Sequence, residues 1–213
     1  MDVVLPCLDE AAALPAVLST LPPGCRAIVV DNGSSDGSPL VAASLGALVV
    51  HEPKRGYGAA VHTGLLAATS DVVAFADADG SLDLSELPAM ASLLADSDLV
   101  VGRRIPVNAT VWPWHARAGN ALITSWLRSR IRMDAHDIAP MRVCRRQPLL
   151  DLGLEDRRFG YPVELLQAVT RAGWRLSEHD VDYHPRAAGT RSKVSGSVVG
   201  TLRTARDFAK VLR

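Results

Sequence analysis

The feature that most constrains the fold is an alternation of short apolar runs with longer stretches of helical spacing. The runs lie at 3–6, 27–30, 47–50, 72–76 and 99–101, in a chain of 213 residues. This alternation predicts an α/β fold, in which helices sandwich a mixed, mostly parallel sheet. The length predicts a single compact domain.

The regular alternation ends after residue 102. We expect a loop at 105–113, a helix at 114–130, a strand near 141–144, a helix at 162–172 and a strand at 175–183. A polar, basic segment at 185–195 is predicted to be mobile, and a helix at 197–212 is predicted to follow it.

Composition excludes some function classes. The 23 Lys and Arg residues balance the 23 Asp and Glu residues, so no global basic field favours nucleic acid. The three scattered cysteines have no CxxC spacing, which favours a reduced, cytoplasmic compartment. No apolar run approaches the ~20 residues of a membrane-spanning helix, so we expect any membrane contact to be peripheral.

The acidic pair Asp77 and Asp79 follows directly after the run at 72–76. Two carboxylates at this spacing can converge on a hard cation, and Mg²⁺ or Mn²⁺ would take its other ligands from phosphate and water. The alternative is an ordinary helix N-cap. The position at a strand end favours the metal site, because ligands of such sheets bind beyond the carboxyl ends of the strands.

Other polar clusters also follow predicted strands. Asp31 opens a loop at 31–37 and could bind a nucleotide, although its Asp, Asn, Gly and Ser residues also suit a plain turn. Glu10 follows the first strand, where it also suits a helix start. The glycine-rich segment at 54–60 could hold phosphate or pack close to a donor. It fits neither the Walker pattern nor GxGxxG, which argues against an ATPase and a Rossmann dehydrogenase.

The second half carries isolated charged candidates. Asp137 and Glu164 could remove a proton from an acceptor hydroxyl, or each could pair with an arginine. Five cations could contact an anion or could be solvated surface charges: Arg103, Arg104, Arg117, Arg191 and Lys193. The basic helix at 197–212 could lie on anionic lipid or dock on its own domain.

Nine segments occur in the order typical of one enzyme family. They are Pro6-Cys7-Leu8-Asp9-Glu10, Val30-Asp31-Asn32-Gly33-Ser34-Ser35-Asp36-Gly37, Gly56-Tyr57-Gly58-Ala59-Ala60, Asp77-Ala78-Asp79, Val100-Val101-Gly102-Arg103-Arg104, Arg117-Ala118-Gly119-Asn120, Asp137-Ile138-Ala139-Pro140-Met141-Arg142, Tyr161-Pro162-Val163-Glu164 and Gly189-Thr190-Arg191-Ser192-Lys193. The chain therefore resembles family 2 glycosyltransferases, and within them the dolichol-phosphate or polyprenyl-phosphate sugar synthases.

The resemblance implies one GT-A catalytic domain, with a nucleotide-sugar-binding half at 1–103 and an acceptor-binding half at 104–213. It implies that Asp77 and Asp79 hold Mg²⁺ or Mn²⁺. The implied donor site consists of Pro6, Leu8, Glu10, Asp31, Gly33, Lys54, Gly56, Asp77, Ala78 and Asp79. The family often has Gln where this chain has Ser81, so a third metal ligand stays open.

On the acceptor side, the resemblance places Arg104 and Arg117 near an acceptor phosphate. It places Asp137 where the family has an acidic residue beside the acceptor. Asp79, Arg104, Arg117 and Asp137 form the implied catalytic set. The other implied acceptor contacts are Arg103, Glu164 and, on the mobile loop, Arg191 and Lys193.

The expected function is inverting transfer of a hexose from a UDP- or GDP-sugar to polyprenyl phosphate. A soluble small-molecule acceptor is one alternative. A sugar-phosphate nucleotidyltransferase and a non-catalytic nucleotide-sugar binding module are two others. The sequence leaves open a homodimer and a peripheral membrane contact through the C-terminal helix.

Overall fold

A computed structural model describes residues 1–131, 133, 135–188, 206–208, 210 and 211, except for the side chains of residues 115 and 131. The chain forms one seven-stranded sheet with helices on both faces. The strands are β1 (Asp2–Cys7), β2 (Arg26–Asp31), β3 (Leu48–His51), β4 (Val72–Phe75), β5 (Leu99–Pro106), β6 (Met141–Arg145) and β7 (Leu176–Tyr183).

In the described part of the chain, seven α-helices connect or follow the strands, apart from the helical residues 206–208, 210 and 211. They are α1 (Leu14–Ser19), α2 (Ser38–Ser44), α3 (Tyr57–Ala67), α4 (Leu87–Ser92), α5 (Trp114–Ile131), α6 (Arg146–Asp151) and α7 (Tyr161–Arg171). Four of them, α1, α2, α4 and α7, begin with a proline in the first two positions, where its missing N–H is not needed. Short 3₁₀ turns flank α4 at Leu84–Glu86 and Leu93–Ala95.

The strand order is β3-β2-β1-β4-β6-β5-β7. All neighbours pair in parallel except β6, which is antiparallel to both β4 and β5. The predicted mixed, mostly parallel sheet is therefore correct. Because β6 comes from the second half of the chain and separates β4 from β5, the two halves share one sheet.

Two apolar layers cover the sheet. Side chains alternate along β1, so Val3 and Leu5 join the layer with α1 and α4, whereas Val4 joins the layer with α3 and α7. Helix α3 lies close to the sheet at Gly64, where an added Cβ would come 2.3 Å from Val4 Cγ1.

Several predicted boundaries were wrong. The helical spacing of Leu14, Val17, Leu18 and Leu21 after Asp9 predicts a longer helix than α1, but residues 11–13 form turns and α1 ends at Ser19. The expected loop at 105–113 begins later, because β5 continues to Pro106 beside β7. Helix α6 was not predicted. Within the described residues, no helix combines the length and apolar character needed to cross a membrane.

The segment at 185–195 and the helix at 197–212 fall largely outside the described residues. Residues 185–188 are described, as are residues 206–208, 210 and 211, which are helical. The predicted mobility of the segment and the predicted lipid contact of the helix stay predictions.

Candidate functional site

A cavity of about 360 Å³ opens at the carboxyl ends of the parallel strands, between β1 and β4. Strand β1 pairs with β2 as far as Cys7 and Asp31, but it pairs with β4 only as far as Val4 and Phe75. The segments that follow β1 and β4 diverge beyond that point and leave a crevice. Strand order also changes direction here, since β2 lies on one side of β1 and β4 on the other, as expected of a ligand site in such sheets.

The structure brings together most of the predicted donor residues. Those that line the cavity are Pro6, Leu8, Glu10, Gly56, Asp77, Ala78 and Asp79. Asp31, Gly33 and Lys54 were also predicted and lie next to the cavity, but they do not line it. The backbone of Lys54 is used instead: its N–H donates to Glu52 Oε1 and its carbonyl accepts from Asn32.

Asp77 and Asp79 lie side by side where the chain leaves β4. Asp79 is almost fully buried, and its Oδ1 accepts a hydrogen bond from Ser81 N at 2.9 Å. Burial, together with the neighbouring charge of Asp79, raises the pKa of Asp77 to about 6. Two carboxylates held this close repel each other, so the pair favours a cation between or beside them.

Arg186 supplies one such cation, although no sequence motif singled it out. Its Nη1 forms an ion pair with Asp79 Oδ2, an atom that accepts no further hydrogen bond among the described residues. Although burial lowers the pKa of Arg186, the charges of Asp79 and Asp77 raise it above the usual value. Arg186 itself lines the cavity.

The residues present fit a divalent ion that takes part of its shell from a ligand. No group of three His, Cys, Asp or Glu side chains that could hold a metal occurs in the described part of the chain. Two carboxylates suffice for Mg²⁺ or Mn²⁺ when phosphate and water complete the shell. Ser81 Oγ is buried without a hydrogen-bond partner in the described structure, so an oxygen is available close in sequence to the pair.

Asp31 is held by its own loop. Its carboxylate accepts hydrogen bonds from Gly33 N and Ser34 N, and its Oδ2 lies 3.1 Å from His51 Nδ1. Gly33 has a φ of +88°, and the Arg55 side chain lies over it, 3.1 Å from where a Cβ would be. Asp31 thus shapes the rim of the cavity, and its predicted contact with a base stays a prediction.

Asn32, also missed, joins that loop to the next one. Its Nδ2 donates to the carbonyls of Glu52 and Lys54, and its Oδ1 accepts from Gly56 N. One buried side chain therefore fixes the approach to α3. Asn is common in turns, so the sequence offered no reason to single it out.

The glycine-rich start of α3 packs against backbone. Gly58 N donates to the carbonyl of Arg158 at 3.0 Å and Ala59 N to that of Arg157 at 2.9 Å. These two amides are not available to a phosphate, so the phosphate-binding alternative is wrong for them. The glycines let the 157–159 segment approach, and Arg158 and Phe159 of that segment line the cavity.

Arg104 is oriented by three neighbours. Its Nε and Nη2 donate to the two oxygens of Asp137 at 2.8 and 2.6 Å. Its guanidinium carbon lies 4.0 Å from the ring centre of Trp112 and 5.4 Å from that of Tyr183. An arginine stacked and paired in this way has lost most of its rotamer freedom before any anion binds.

Asp137 is fully engaged in these contacts. Besides the Arg104 side chain, it accepts hydrogen bonds from the backbone of Arg104 and Ala139. Burial raises its pKa, but the hydrogen bonds and charge of Arg104 outweigh burial and lower it. A carboxylate so paired is a weak base, so the contacts favour a role in positioning Arg104. Its predicted action on an acceptor hydroxyl stays a prediction.

Three other predicted acceptor residues have different contacts. Arg103 points to the opposite face of β5 from Arg104 and forms a bidentate ion pair with Asp180 at 2.6 and 2.7 Å. The Glu164 carboxylate accepts from the backbone amides of residues 155 and 156. Neither lines the cavity, and neither does Arg104. The charge of Arg104 nevertheless acts on Asp77 of the acidic pair, whereas Arg103 and Glu164 are held by their own partners, which counts against direct acceptor roles for these two.

Arg117 is exposed on the first turn of α5, and it does not line the cavity either. Arg191 and Lys193 lie outside the described residues.

A buried cation lies behind the cavity. Arg142 on β6 is 1% exposed, and its Nη2 donates to the carbonyl of Ile138 at 2.8 Å. Its Nε and Nη1, like the hydroxyl of Tyr161, have no hydrogen-bond partner in the described structure. Its positive charge lowers the pKa of Asp77 and of Tyr57. Burial has the larger, opposite effect, so both pKa values are raised overall.

Comparison with known proteins agrees with this geometry. The profile described as Glycosyl transferase family 2 matches residues 2–152. An uncharacterized glycosyltransferase of Mycobacterium tuberculosis is 56% identical over 213 residues, which are 100% of this chain and 97% of the relative. A dolichyl-phosphate hexose transferase of Haloferax volcanii is 31% identical over 90% of this chain and 86% of the relative.

Solved structures support the fold. Glucosyl-3-phosphoglycerate synthase from Mycobacterium tuberculosis, in complex with Mn²⁺, UDP and phosphoglyceric acid, superposes with a TM-score of 0.76 at 22% identity. The match covers 99% of this chain and 76% of that one. The expected GT-A type of α/β fold is therefore confirmed.

Proposed function

The chain belongs to glycosyl transferase family 2, and on that premise we propose that it transfers a hexose from a UDP- or GDP-sugar to polyprenyl phosphate with inversion. The observation that carries the donor half is the crevice between β1 and β4, with Asp77 and Asp79 on its wall. Its volume of about 360 Å³ suits a small-molecule ligand.

The residues around the crevice suggest how a donor would be held. Pro6, Leu8 and Glu10 from the end of β1 would border the nucleoside, and Asn32 and Arg55 line the same side. Asp77 and Asp79 would hold Mg²⁺ or Mn²⁺, which neutralises the charge of a diphosphate leaving group when bound. Structures of the synthase from Mycobacterium tuberculosis with UDP and Mn²⁺ or Mg²⁺ support this choice of ligand and ions.

Arg104 supports a phosphate-bearing acceptor. Its planar guanidinium, stacked on Trp112 and oriented by Asp137, suits the oxygens of a phosphate group. The relative named as a dolichyl-phosphate hexose transferase supports polyprenyl phosphate as the class. Arg117, Arg191 and Lys193 are further candidates for that phosphate.

The transfer step needs little from the protein beyond orientation. A phosphate oxygen of the acceptor attacks the anomeric carbon, and the bond from that carbon to the donor diphosphate breaks. The nucleoside diphosphate leaves with the electron pair. Because the attacking oxygen is already anionic, no side chain has to remove a proton. This agrees with the contacts of Asp137, which leave it poorly suited to act as a base.

A soluble phosphorylated acceptor is the second candidate. Its support is the structural likeness to a synthase bound to phosphoglyceric acid. In that case a hydroxyl attacks, a base is required, and Asp137 is the proposed one. Both acceptors present a phosphate to Arg104, so an acceptor panel rather than the geometry separates them. We also propose a cytoplasmic location, with membrane contact limited to the periphery.

The test is a transfer assay with UDP- and GDP-hexoses, Mn²⁺, and either undecaprenyl phosphate or 3-phosphoglycerate. Release of UDP or GDP and the mass of the product identify donor and acceptor. Release of pyrophosphate from an NTP and a sugar phosphate would instead indicate a nucleotidyltransferase. Binding of nucleotide-sugar without turnover would indicate a binding module.

Variants of the acidic pair complete this test. Asp77→Asn and Asp79→Asn should each lower kcat/KM at least about 100-fold, because loss of the metal removes several kcal/mol of leaving-group stabilisation. Asp83→Asn is the matched control, since Asp83 only caps a 3₁₀ turn through Ser85 N. Full metal-dependent transfer by the Asp77 and Asp79 variants would refute the proposal.

A further inference from the structure

Arg186 approaches the acidic pair from a remote part of the chain. Its segment is fastened by backbone to the loop that follows β4: Ala187 N donates to the carbonyl of Asp79, and His184 N donates to that of Ser81, both at 3.0 Å. An added Cβ at Gly80 would come 3.4 Å from the Cβ of Ala187, so the two backbones are in contact there. Arg186 is thus held over Asp79.

The guanidinium takes a carboxylate oxygen that a metal would need. Asp79 Oδ1 already accepts from Ser81 N, so Oδ2 is the oxygen left for a cation, and Arg186 Nη1 contacts it. The Asp79 side chain is 3% exposed and that of Arg186 is 30% exposed, which weakens solvent screening of the pair. A second cation at the same oxygen would face both the occupied site and the charge of Arg186.

We propose that Arg186 is an internal counter-ion, which pairs with Asp79 in the donor-free protein and thereby makes metal binding depend on the nucleotide. The inference rests on the proposed donor site. A metal ion that arrives alone has to displace Arg186 and leave it without an anion. A metal ion that arrives with a diphosphate brings a new anion for Arg186, so the lost ion pair is replaced.

The consequence is a coupling between two ligands. Mn²⁺ alone should bind weakly, UDP alone should bind weakly, and the two together should bind tightly. Because linkage is reciprocal, each ligand strengthens the other by the same factor. Arg186 should supply a large part of that factor.

The test measures binding only. Free Mn²⁺ is followed by electron paramagnetic resonance during titration of the full chain, with and without saturating UDP, and UDP binding is measured by calorimetry with and without Mn²⁺. Relative to the natural protein, Arg186→Gln should bind Mn²⁺ alone about tenfold more tightly, and the coupling factor should fall about tenfold. Arg186→Lys keeps the charge and should stay close to the natural protein.

Arg103→Gln is the matched control, because Arg103 pairs with Asp180 away from the cavity. It should change neither constant. Equal Mn²⁺ affinity of the natural protein and Arg186→Gln would overturn the inference, as would an Arg186→Lys protein that behaves like Arg186→Gln. If the natural protein binds neither UDP nor GDP with Mn²⁺, the proposed donor site fails as well, so the two failures are distinguishable.

Discussion

Substitution of Gly58 by alanine tests how the start of α3 shapes the cavity. The added Cβ would lie 2.5 Å from the carbonyl oxygen of Asp156, 2.9 Å from Tyr161 Cβ and 3.0 Å from the carbonyl carbon of Arg157. The nearest atom belongs to backbone, so no rotamer change relieves the contact. The 156–159 segment and α3 would have to separate by about 0.9 Å to reach the 3.4 Å of ordinary contact.

The change in the free energy of unfolding caused by Gly58→Ala combines three contributions. Overpacking of this kind costs about 1–3 kcal/mol. Separation also weakens the hydrogen bonds from Gly58 N and Ala59 N, at about 1 kcal/mol each. Replacing a helical glycine by alanine returns up to about 1 kcal/mol. The expected net loss in the free energy of unfolding is about 3 kcal/mol, which lowers Tm by about 6–12 °C for a chain of this size.

Activity should fall as well, since the displaced segment carries Arg158 and Phe159 into the cavity. A displacement near 1 Å costs up to about 100-fold in rate, so we expect kcat/KM to fall about 10- to 100-fold. Urea unfolding followed by tryptophan fluorescence gives the stability, and UDP release gives the activity.

Gly119→Ala is the matched control. Gly119 lies within α5 with no atom within 4 Å of an added Cβ, so the substitution should raise stability by up to about 1 kcal/mol and leave activity unchanged. If Gly58→Ala is as stable as Gly119→Ala and binds UDP normally, the assigned role of the close approach is wrong.

Three further outcomes are expected. Burial raises the pKa of Asp2, but Arg26 and two backbone amides outweigh burial and lower it. The stabilisation of the fold by Asp2 is therefore present above about pH 4 and is lost as the pH falls through the lower folded pKa. Asp2→Asn should cost about 1–3 kcal/mol at pH 7 and should flatten the acid side of a plot of unfolding free energy, measured in urea, against pH. Burial raises the pKa of Cys7 to about 11 and that of Cys144 to about 12, so neither thiol should react with a disulfide reagent at pH 8 until urea unfolds the chain, and rapid reaction in the native protein would contradict their burial. Arg104→Lys loses the planar fork and the stacking, so acceptor KM should rise about tenfold or more with donor KM unchanged, whereas an equal rise in both would argue against an acceptor role.

The fold could be predicted where local pattern decides it. Runs of apolar residues identified β1 to β4. Three of these strands, β1, β2 and β4, are buried over most of their length, and a strand buried on both faces needs apolar side chains throughout. The end of β5 could not be found in this way, since its last residues are polar or exposed and are ordered by pairing with β7, over seventy residues later. Helix α6 has only six residues, too few for a helical period to show.

The residues of the candidate site were likewise predictable only where a local pattern marks them. Asp77, Asp79 and Glu10 were predictable, because each follows a recognisable strand and strand ends meet at one edge. Arg158 and Arg186 were not, since they enter from loops far along the chain and carry no distinguishing local pattern. Family resemblance treated Arg104 and Arg103 alike as acceptor contacts, although strand alternation puts the two side chains on opposite faces of β5.

The position of β6 has a consequence for biosynthesis. Strands β1 to β5 are made first, yet β4 and β5 cannot complete their hydrogen bonds until β6 has left the ribosome and entered between them. Until about residue 145 emerges, β4 presents an unpaired apolar edge, which is the kind of surface that recruits other chains. We expect nascent or truncated chains that end before β6 to need chaperones, and the crevice between β1 and β4 to form only after most of the chain has been synthesised.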